Sequence, residues 1–119
     1  MATVQKALTD LLDVDGALCA ALVDSTSGML LGSSGSGLDL ELAAAGHTEV
    51  VRAKIKAMHA PESGDAIDDI LITQGTQYHI IRPLARQTGL FLYLVLDKLR
   101  SNLAQARRKC AEVEKTITI

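Results

Sequence analysis

A glycine- and serine-rich run directly before a predicted helix is the part of the chain closest to a ligand-binding motif, Gly32-Ser33-Ser34-Gly35-Ser36-Gly37. Such a run could bind phosphate, because free backbone N–H groups at a helix N-terminus attract anions. A Walker-type phosphate loop, however, has lysine after its last glycine, and Leu38 occupies that position here. We interpret the run as a flexible loop, with a contact to an anion or a partner as the alternative.

Three histidines and Ser25 are further residues whose types could carry chemistry. His47, His59 and His79 lack the spacing of metal ligands, and His47 lies on the apolar part of a predicted helix, as a helix-interface histidine would. Asp24, Ser25 and His79 are residue types of a hydrolytic triad, but no nucleophile-elbow motif surrounds Ser25. The sequence therefore predicts no catalytic residue, no metal site and no cofactor.

Three arginines on the last predicted helix form a candidate partner patch, Arg100, Arg107 and Arg108. One interpretation is a solvated cationic face, since cations are favoured near a helix C-terminus. The other is a docking surface for an acidic partner. The net charge of −2 and the isoelectric point of about 5.8 disfavour nucleic acid as that partner.

The composition predicts one small domain with an aliphatic core over residues 1–119. The chain is 48% hydrophobic but only 3% aromatic, so Leu, Ile, Val and Ala must fill the interior. No signal-like segment and no run of roughly 20 apolar residues is present, which predicts a cytoplasmic protein without membrane insertion. The two cysteines, Cys19 and Cys110, lie in apolar patterns and are expected to be reduced core residues.

Hydrophobic periodicity predicts the element order α-β-β-α-β-β-β-α. The first helix starts after a Thr3 cap and ends at Leu12, the second covers 38–58, and the third begins near Asp97 with Leu99 as the first residue of its apolar stripe. The predicted strands are 17–23, 29–32, 67–73, 76–83 and 90–96. The first and last of these strands are apolar on both faces, which requires helices on both sides. The fold class is thus a three-layer α/β/α sandwich with a five-stranded, mostly antiparallel sheet.

The second predicted helix carries more apolar surface than one sheet face needs. Two stripes lie along it, one containing Ala43, Gly46, Val50, Ala53 and Ala57 and the other Ala44, Val51, Ile55 and Met58. Thr48, Glu49, Arg52, Lys56 and His59 form its polar arc. In a chain of this size, the second stripe indicates a contact with another protein, and the sequence leaves open which stripe faces the sheet.

The order of these segments resembles the roadblock / dynein-light-chain family. The resemblance is carried by Val14-Asp15-Gly16-Ala17, by the run from Ala21 to Leu31, by the long alanine-rich helix, and by segments 70–72, 78–84 and 90–97. The resemblance covers nearly the whole chain. Within the family, the chain is similar in particular to bacterial MglB-like roadblock proteins. This resemblance implies the profilin-like roadblock fold and a homodimer in which second helices pack antiparallel and third strands pair edge to edge.

The resemblance also implies a regulatory or scaffold role, with a Ras-like small GTPase or a signalling complex as partner. No arginine finger is predicted, since no arginine lies in a glycine-rich presenting loop; Arg86, near Gln87-Thr88-Gly89, is the only loop candidate. The predicted dimer interface comprises Ala44, His47, Val51, Lys54, Ile55, Met58, Ile67, Ile70 and Ile72. A profilin-like or PAS-like domain that senses a small ligand is the alternative function, and an enzyme is the third choice.

Overall fold

The computed structural model describes residues 3–36, 39–58, 67–85, 87 and 89–117, with the side chains of 55–58 outside the description. The elements in these residues are α1 (Val4–Leu11), β1 (Ala17–Asp24), β2 (Met29–Gly35), α2 (Leu40–Met58), β3 (Ile70–Gln74), β4 (Gln77–Pro83), β5 (Leu90–Asp97) and α3 (Leu103–Thr116). The predicted element order is confirmed.

The strands form one five-stranded sheet in the order β2-β1-β5-β4-β3, and every neighbouring pair is antiparallel. β1 and β5 lie next to each other at the centre, with six consecutive residues of β5 buried. Because successive side chains of a strand point to opposite faces, these apolar runs serve both faces of the sheet. The predicted three-layer sandwich is confirmed.

Each face of the sheet has its own buried cluster. The cluster under α1 and α3 contains Leu8, Leu11, Ala20, Leu22, Ile80, Leu92, Leu94, Leu96, Ala106, Cys110 and Val113. The cluster under α2 contains Cys19, Ala21, Val23, Ala44, Val51, Ile81, Phe91, Tyr93 and Val95. The two cysteines are free thiols and lie on opposite faces. Burial raises the pKa of Cys110 to about 12, so its thiol stays protonated at neutral pH.

β2 is longer than the sequence predicted, since it continues beyond Gly32 to Gly35. Pairing with the buried strand β1 overrides the low strand propensity of Ser and Gly there, with Ser33 opposite Ala21 and Gly35 opposite Cys19. Gly35 has φ +85°, and a Cβ there would lie 2.3 Å from the carbonyl oxygen of Leu18. Much of the glycine-rich run is therefore an edge strand, and the prediction that it is a loop was wrong for 33–35.

α3 begins later than predicted, at Leu103. Asn102 caps it by accepting a hydrogen bond from the Gln105 backbone N–H at 3.0 Å. The preceding residues form a turn, in which the Asp97 carboxylate accepts from the Leu99 N–H at 3.0 Å. Leu99 is consequently 91% exposed, so its assignment to the apolar stripe of this helix was wrong.

β3 also begins later than predicted, at Ile70 rather than at Ile67. The difference follows from Asp69, whose carboxylate accepts from Arg107 on α3 at 2.8 Å. That contact directs the residue toward the helix before the strand pairing starts.

Candidate interaction surfaces

The orientation of α2 is set by three side chains that point into the sheet. Ala44, Thr48 and Val51 are almost fully buried, which identifies the Ala44–Val51 stripe as the inner one. Thr48, predicted on the polar arc, instead donates its hydroxyl to the Ala44 carbonyl at 2.7 Å and needs no water. Ala44 and Val51 were predicted at the dimer interface; the chain's own sheet covers both, so they are unavailable to a second copy.

The two flanks of α2 face different parts of the sheet. His47 stacks on Tyr93 of β5 and on His79 of β4, with ring centroids 4.7 Å and 5.6 Å away. On the opposite flank, the Arg52 guanidinium donates to the carbonyl oxygens of Ser25, at 2.7 Å, and of Thr26. The His47 flank therefore faces the β4–β3 side, and the Arg52 flank is fastened to the β1–β2 turn.

The His47 flank continues outward as an apolar strip. Ala43, His47, Val50 and Lys54 recur at intervals of four, three and four residues and so share this flank. Ala43 is half-buried, whereas Val50 is 41% exposed and Lys54 is exposed. This part of α2 thus offers apolar surface bordered by one cation.

β3 is the edge strand on the side of the sheet that the His47 flank faces. It pairs with β4 on one side, and none of the described residues pairs with its other edge. Ile70 and Ile72 point to the α2 side, where both are half-buried against the cluster under that helix. We name the half-covered set of Ala43, Val50, Ile70 and Ile72 the open flank.

The remaining residues of the predicted interface lie around the open flank or outside the description. Ile67 is half-buried and precedes β3. The side chains of Ile55 and Met58 fall outside the described residues. Of the predicted set, the structure thus brings His47, Lys54, Ile70 and Ile72 to one side of α2.

The three arginines of the predicted partner patch have different surroundings. The Arg107 guanidinium pairs with Asp69 at 2.8 Å, which raises the pKa of Arg107. Arg100 lies 3.8 Å from the carboxylate of Asp97. Arg108 lines an open groove between the end of α1 and α3 together with Asp13, Val14, Gln105, Lys109 and Glu112. These contacts make a surface of mixed charge rather than a uniformly basic one.

An ion network at the rim of α3 was not anticipated from the sequence. Glu114, which is almost buried, accepts from Arg82 on β4 and from the Ala85 backbone N–H, both at 2.6 Å. Arg82 also lies 4.0 Å from Asp69, which pairs with Arg107. The only signal in the sequence was a charged residue, Arg82, within a predicted strand, because its partners are distant in sequence.

The structure does not bring Asp24, Ser25 and His79 together as a hydrolytic triad. The Ser25 hydroxyl donates to the Gly89 carbonyl at 2.7 Å. Asp24 lies opposite Leu90 and His79 opposite Val95, which separates them by five residues along β5, or about 17 Å. Arg86, the loop arginine, lies outside the described residues.

The described part of the chain contains neither a metal-binding cluster nor a membrane-spanning helix. No group of three or more His, Cys, Asp or Glu side chains is placed to hold a metal ion. None of the described helices is long and apolar enough to cross a membrane.

A group of aromatic and imidazole rings remains, formed by His79 and Tyr93, which are buried, and by His47, which is half-buried. His79 Nδ1 lies 2.5 Å from the Tyr93 hydroxyl, and His79 Nε2 lies 3.0 Å from Gln77 Oε1. His47 Nδ1 is buried without a hydrogen-bond partner among the described residues. Burial lowers the pKa of both histidines and raises that of Tyr93. His47 was predicted at a helix interface, whereas its contacts with His79 and Tyr93 were not predicted from the sequence.

No protein-family model and no curated protein matches the chain. Several solved structures, by contrast, match the fold of the chain. The Roadblock/LC7 domain from Streptomyces avermitilis is 14% identical with a TM-score of 0.81, covering 97% of this chain and 94% of that one. An MglB structure with a tetrameric arrangement is 15% identical with a TM-score of 0.78, covering 92% and 80%. MglC from Myxococcus xanthus is 17% identical with a TM-score of 0.61, covering 92% and 91%. At these identities the likeness establishes the fold, and it confirms in structure the roadblock resemblance of the sequence.

Proposed function

We propose that this chain is a non-catalytic interaction module that forms a homodimer through the open flank and regulates or scaffolds a signalling partner. The single observation that carries the proposal is the open flank itself. The outer edge of β3 pairs with none of the described residues, the isoleucines of β3 are half-buried on the α2 side of the sheet, and Val50 of α2 is exposed. Such an arrangement is completed when a second copy adds both a strand and a helix.

Self-association fits the character of this surface. An unprotected strand edge is a template for pairing with another chain, and β3 contains neither lysine nor proline. Around a twofold axis, the same patch would meet itself, as in most homodimers. A specific interface needs on the order of 800 Å² from each subunit, which requires β3 and the flank of α2 to contribute together.

A Ras-like small GTPase is the partner we propose for the dimer. This part of the proposal rests on the family resemblance of the sequence, supported by the roadblock fold. The described residues add no catalytic constellation that would favour an enzyme. Regulation would then consist of stabilising one conformation of the partner through contacts that differ between its states. The cytoplasmic location remains a prediction consistent with such a partner.

A ligand-sensing role is the competing proposal, and the groove beside α3 is its main support. That groove is open and lined by four charged side chains, Asp13, Arg108, Lys109 and Glu112. Small-molecule sites are typically concave, largely apolar and enclosing. The open flank therefore supports protein binding better than the groove supports a small ligand. A ligand that copurifies with the protein in native mass spectrometry would reverse this ranking.

The test of self-association compares two substitutions on the same strand. Ile70→Arg places a cation in the open flank, whereas Leu71→Arg places it on the other face of β3, where Leu71 is 44% exposed. Light scattering should give a dimer for the wild type, a folded monomer for Ile70→Arg, and a weaker effect or none for Leu71→Arg. A wild type that is monomeric at micromolar concentration would overturn the homodimer.

The partner is tested separately with purified small GTPases from the same cell. We expect the wild-type dimer to bind one of them in its GTP-bound or GDP-bound form, or to change its rate of hydrolysis. If the protein is a dimer yet binds none of them and alters no rate, the regulatory part of the proposal is wrong while the dimer stands.

A further inference from the structure

Three rings from three elements meet beneath α2, and we name them the ring cluster: His47 on α2, His79 on β4 and Tyr93 on β5. The centroid of His47 lies 4.7 Å from that of Tyr93 and 5.6 Å from that of His79. The His79 and Tyr93 centroids are also 5.6 Å apart. The ring cluster is therefore a direct packing contact between α2 and two adjacent strands.

The hydrogen bonds of the ring cluster suit neutral imidazoles. Gln77 Oε1 is an acceptor, so its 3.0 Å contact assigns the proton of His79 to Nε2. Nδ1 then has a free lone pair and accepts from the Tyr93 hydroxyl. A second proton on His79 would have to enter at Nδ1, where it would oppose the hydroxyl proton of Tyr93. Protonation thus ends the existing bond from the Tyr93 hydroxyl to Nδ1, and the contact persists only if that hydroxyl turns and becomes the acceptor.

The surroundings offer no compensating charge to a protonated histidine. On the packed elements, the titratable or charged groups on the side of the ring cluster are Cys19 of β1, Tyr93 of β5, the two histidines themselves and the cation of Lys54 on α2. The other such groups described on these elements lie on the opposite flank of α2, on the other face of the sheet or at strand ends: Asp24, Glu41, Glu49, Arg52, Tyr78, Arg82 and Asp97. β2 and β3 contain no titratable side chain. No carboxylate in the described residues pairs with either histidine, by contrast with Arg82 and Arg107, which both have carboxylate partners. Two imidazolium ions, with ring centroids 5.6 Å apart, would then face each other without a carboxylate partner among the described residues.

We propose that the ring cluster is a proton-sensitive latch, and that protonation of His47 and His79 releases α2 from the sheet. The release itself depends only on contacts within one chain. One consequence rests on the proposed function: α2 carries half of the open flank, so its release would also dissociate the dimer. Mild acid would then switch off the interaction surface.

The direction of the effect follows from the pKa values. Burial lowers the pKa of both histidines in the folded chain, and for His79 the neighbouring His47 lowers it further. The released or unfolded chain has the ordinary histidine pKa of about 6.5 and binds more protons below it. The stability that depends on the neutral histidines is therefore fully present above this pH. It is lost as the pH falls from this value toward the lower pKa of the folded chain. In this range, each histidine raises the unfolding equilibrium constant by up to about tenfold for every unit by which the pH falls.

The test uses urea unfolding of the full chain at pH 7.5 and 5.5, at two protein concentrations so that dimerisation is separated from folding. In the wild type we expect the unfolding equilibrium constant to rise by at least tenfold at pH 5.5. His47→Phe keeps an aromatic ring and removes a nitrogen that has no partner among the described residues. It should remove part of that rise, and the double variant His47→Phe/His79→Gln should remove nearly all of it.

Val51→Ala is the matched control, because Val51 packs α2 on the same face of the sheet without titrating. It should raise the unfolding constant by the same factor at both pH values. Amide hydrogen exchange of the wild type gives a local reading, in which α2 should lose more protection at pH 5.5 than α3. An unchanged wild-type constant, a pH effect that persists in the double variant, or equal loss in both helices would overturn the latch.

Failure of the latch and failure of the proposed function have different signatures. If the wild type is monomeric at pH 7.5, the homodimer is wrong, and the exchange of α2 amides still decides on the latch. If the wild type is a dimer at both pH values and α2 keeps its protection, the latch is wrong and the homodimer stands.

Discussion

The face of the sheet beneath α1 and α3 and the face beneath α2 are closed to different extents. Two helices cover the first face, whose cluster is aliphatic apart from the Cys110 thiol. Among the described residues, one helix covers the second face, where His47, His79 and Tyr93 lie among the aliphatic side chains, and Ile70 and Ile72 stay half-buried. The proposed function assigns different roles to the two faces: the first stabilises the fold, and the second binds another copy of the chain.

Truncating one side chain on each face should give the largest effects. Leu94→Ala in the closed face should lower the free energy of unfolding by about 3 kcal/mol, since Leu94 is fully buried between two helices and the sheet. Val51→Ala beneath α2 should cost about 2 kcal/mol, because two methyl groups are lost. Urea unfolding measures both. A larger loss for Val51→Ala would contradict the assignment of the closed face as the main source of stability.

The rim of the closed face should also be sensitive to charge. Glu114→Gln keeps the shape of a largely buried side chain but weakens its contacts with Arg82 and the Ala85 N–H. We expect a loss of about 2 kcal/mol in the free energy of unfolding, because hydrogen bonds to charged groups are the stronger ones.

The matched control for the rim is Asp10→Asn, which removes an exposed pair with Lys6 on α1 at 2.7 Å. Exposed pairs of this kind contribute little, so the control should be close to wild type in the same unfolding experiment. Equal losses for the two variants would mean that the network around Glu114 does not fasten α3 to the sheet.

A smaller effect is expected from Tyr93→Phe on the α2 face. The ring and its packing remain, but His79 Nδ1 loses the hydroxyl that donates to it. An unmade buried hydrogen bond should cost about 1 kcal/mol at pH 7.5. A proton on Nδ1 no longer meets a hydroxyl proton in this variant, so its stability should fall less than that of the wild type between pH 7.5 and 5.5. A steeper fall would argue against the assigned tautomer.

Much of the fold was predictable because hydrophobic pattern and turn residues act locally. The apolar runs of β1 and β5 indicated helices on both faces, and the structure confirms this. The ends of elements were predicted wrongly where a residue distant in sequence decides where the strand begins or ends. β1 extends β2 through serine and glycine, and Asp69 is drawn to Arg107 instead of joining β3.

The site was less predictable than the fold for the same reason. The two stripes of α2 were visible in the sequence, but the sheet decides which one is buried, and it buries Ala44 and Val51. His47 and His79 are separated by 32 positions, and the packing of α2 on the sheet brings them together, while the register of β4 against β5 places His79 beside Tyr93. Pairings of this kind depend on strand order, which periodicity does not specify.

The most direct test of the roles assigned to the two faces is the solution mass of the wild type, Val50→Arg and Leu99→Arg. Val50 is 41% exposed on the open flank, and Leu99 is 91% exposed in the β5–α3 turn, so neither change disturbs a core. We predict a dimer for the wild type and for Leu99→Arg, and a folded monomer for Val50→Arg. A monomeric wild type, or a Val50→Arg variant that remains dimeric, would contradict the assignment of the open flank as the surface through which this protein associates.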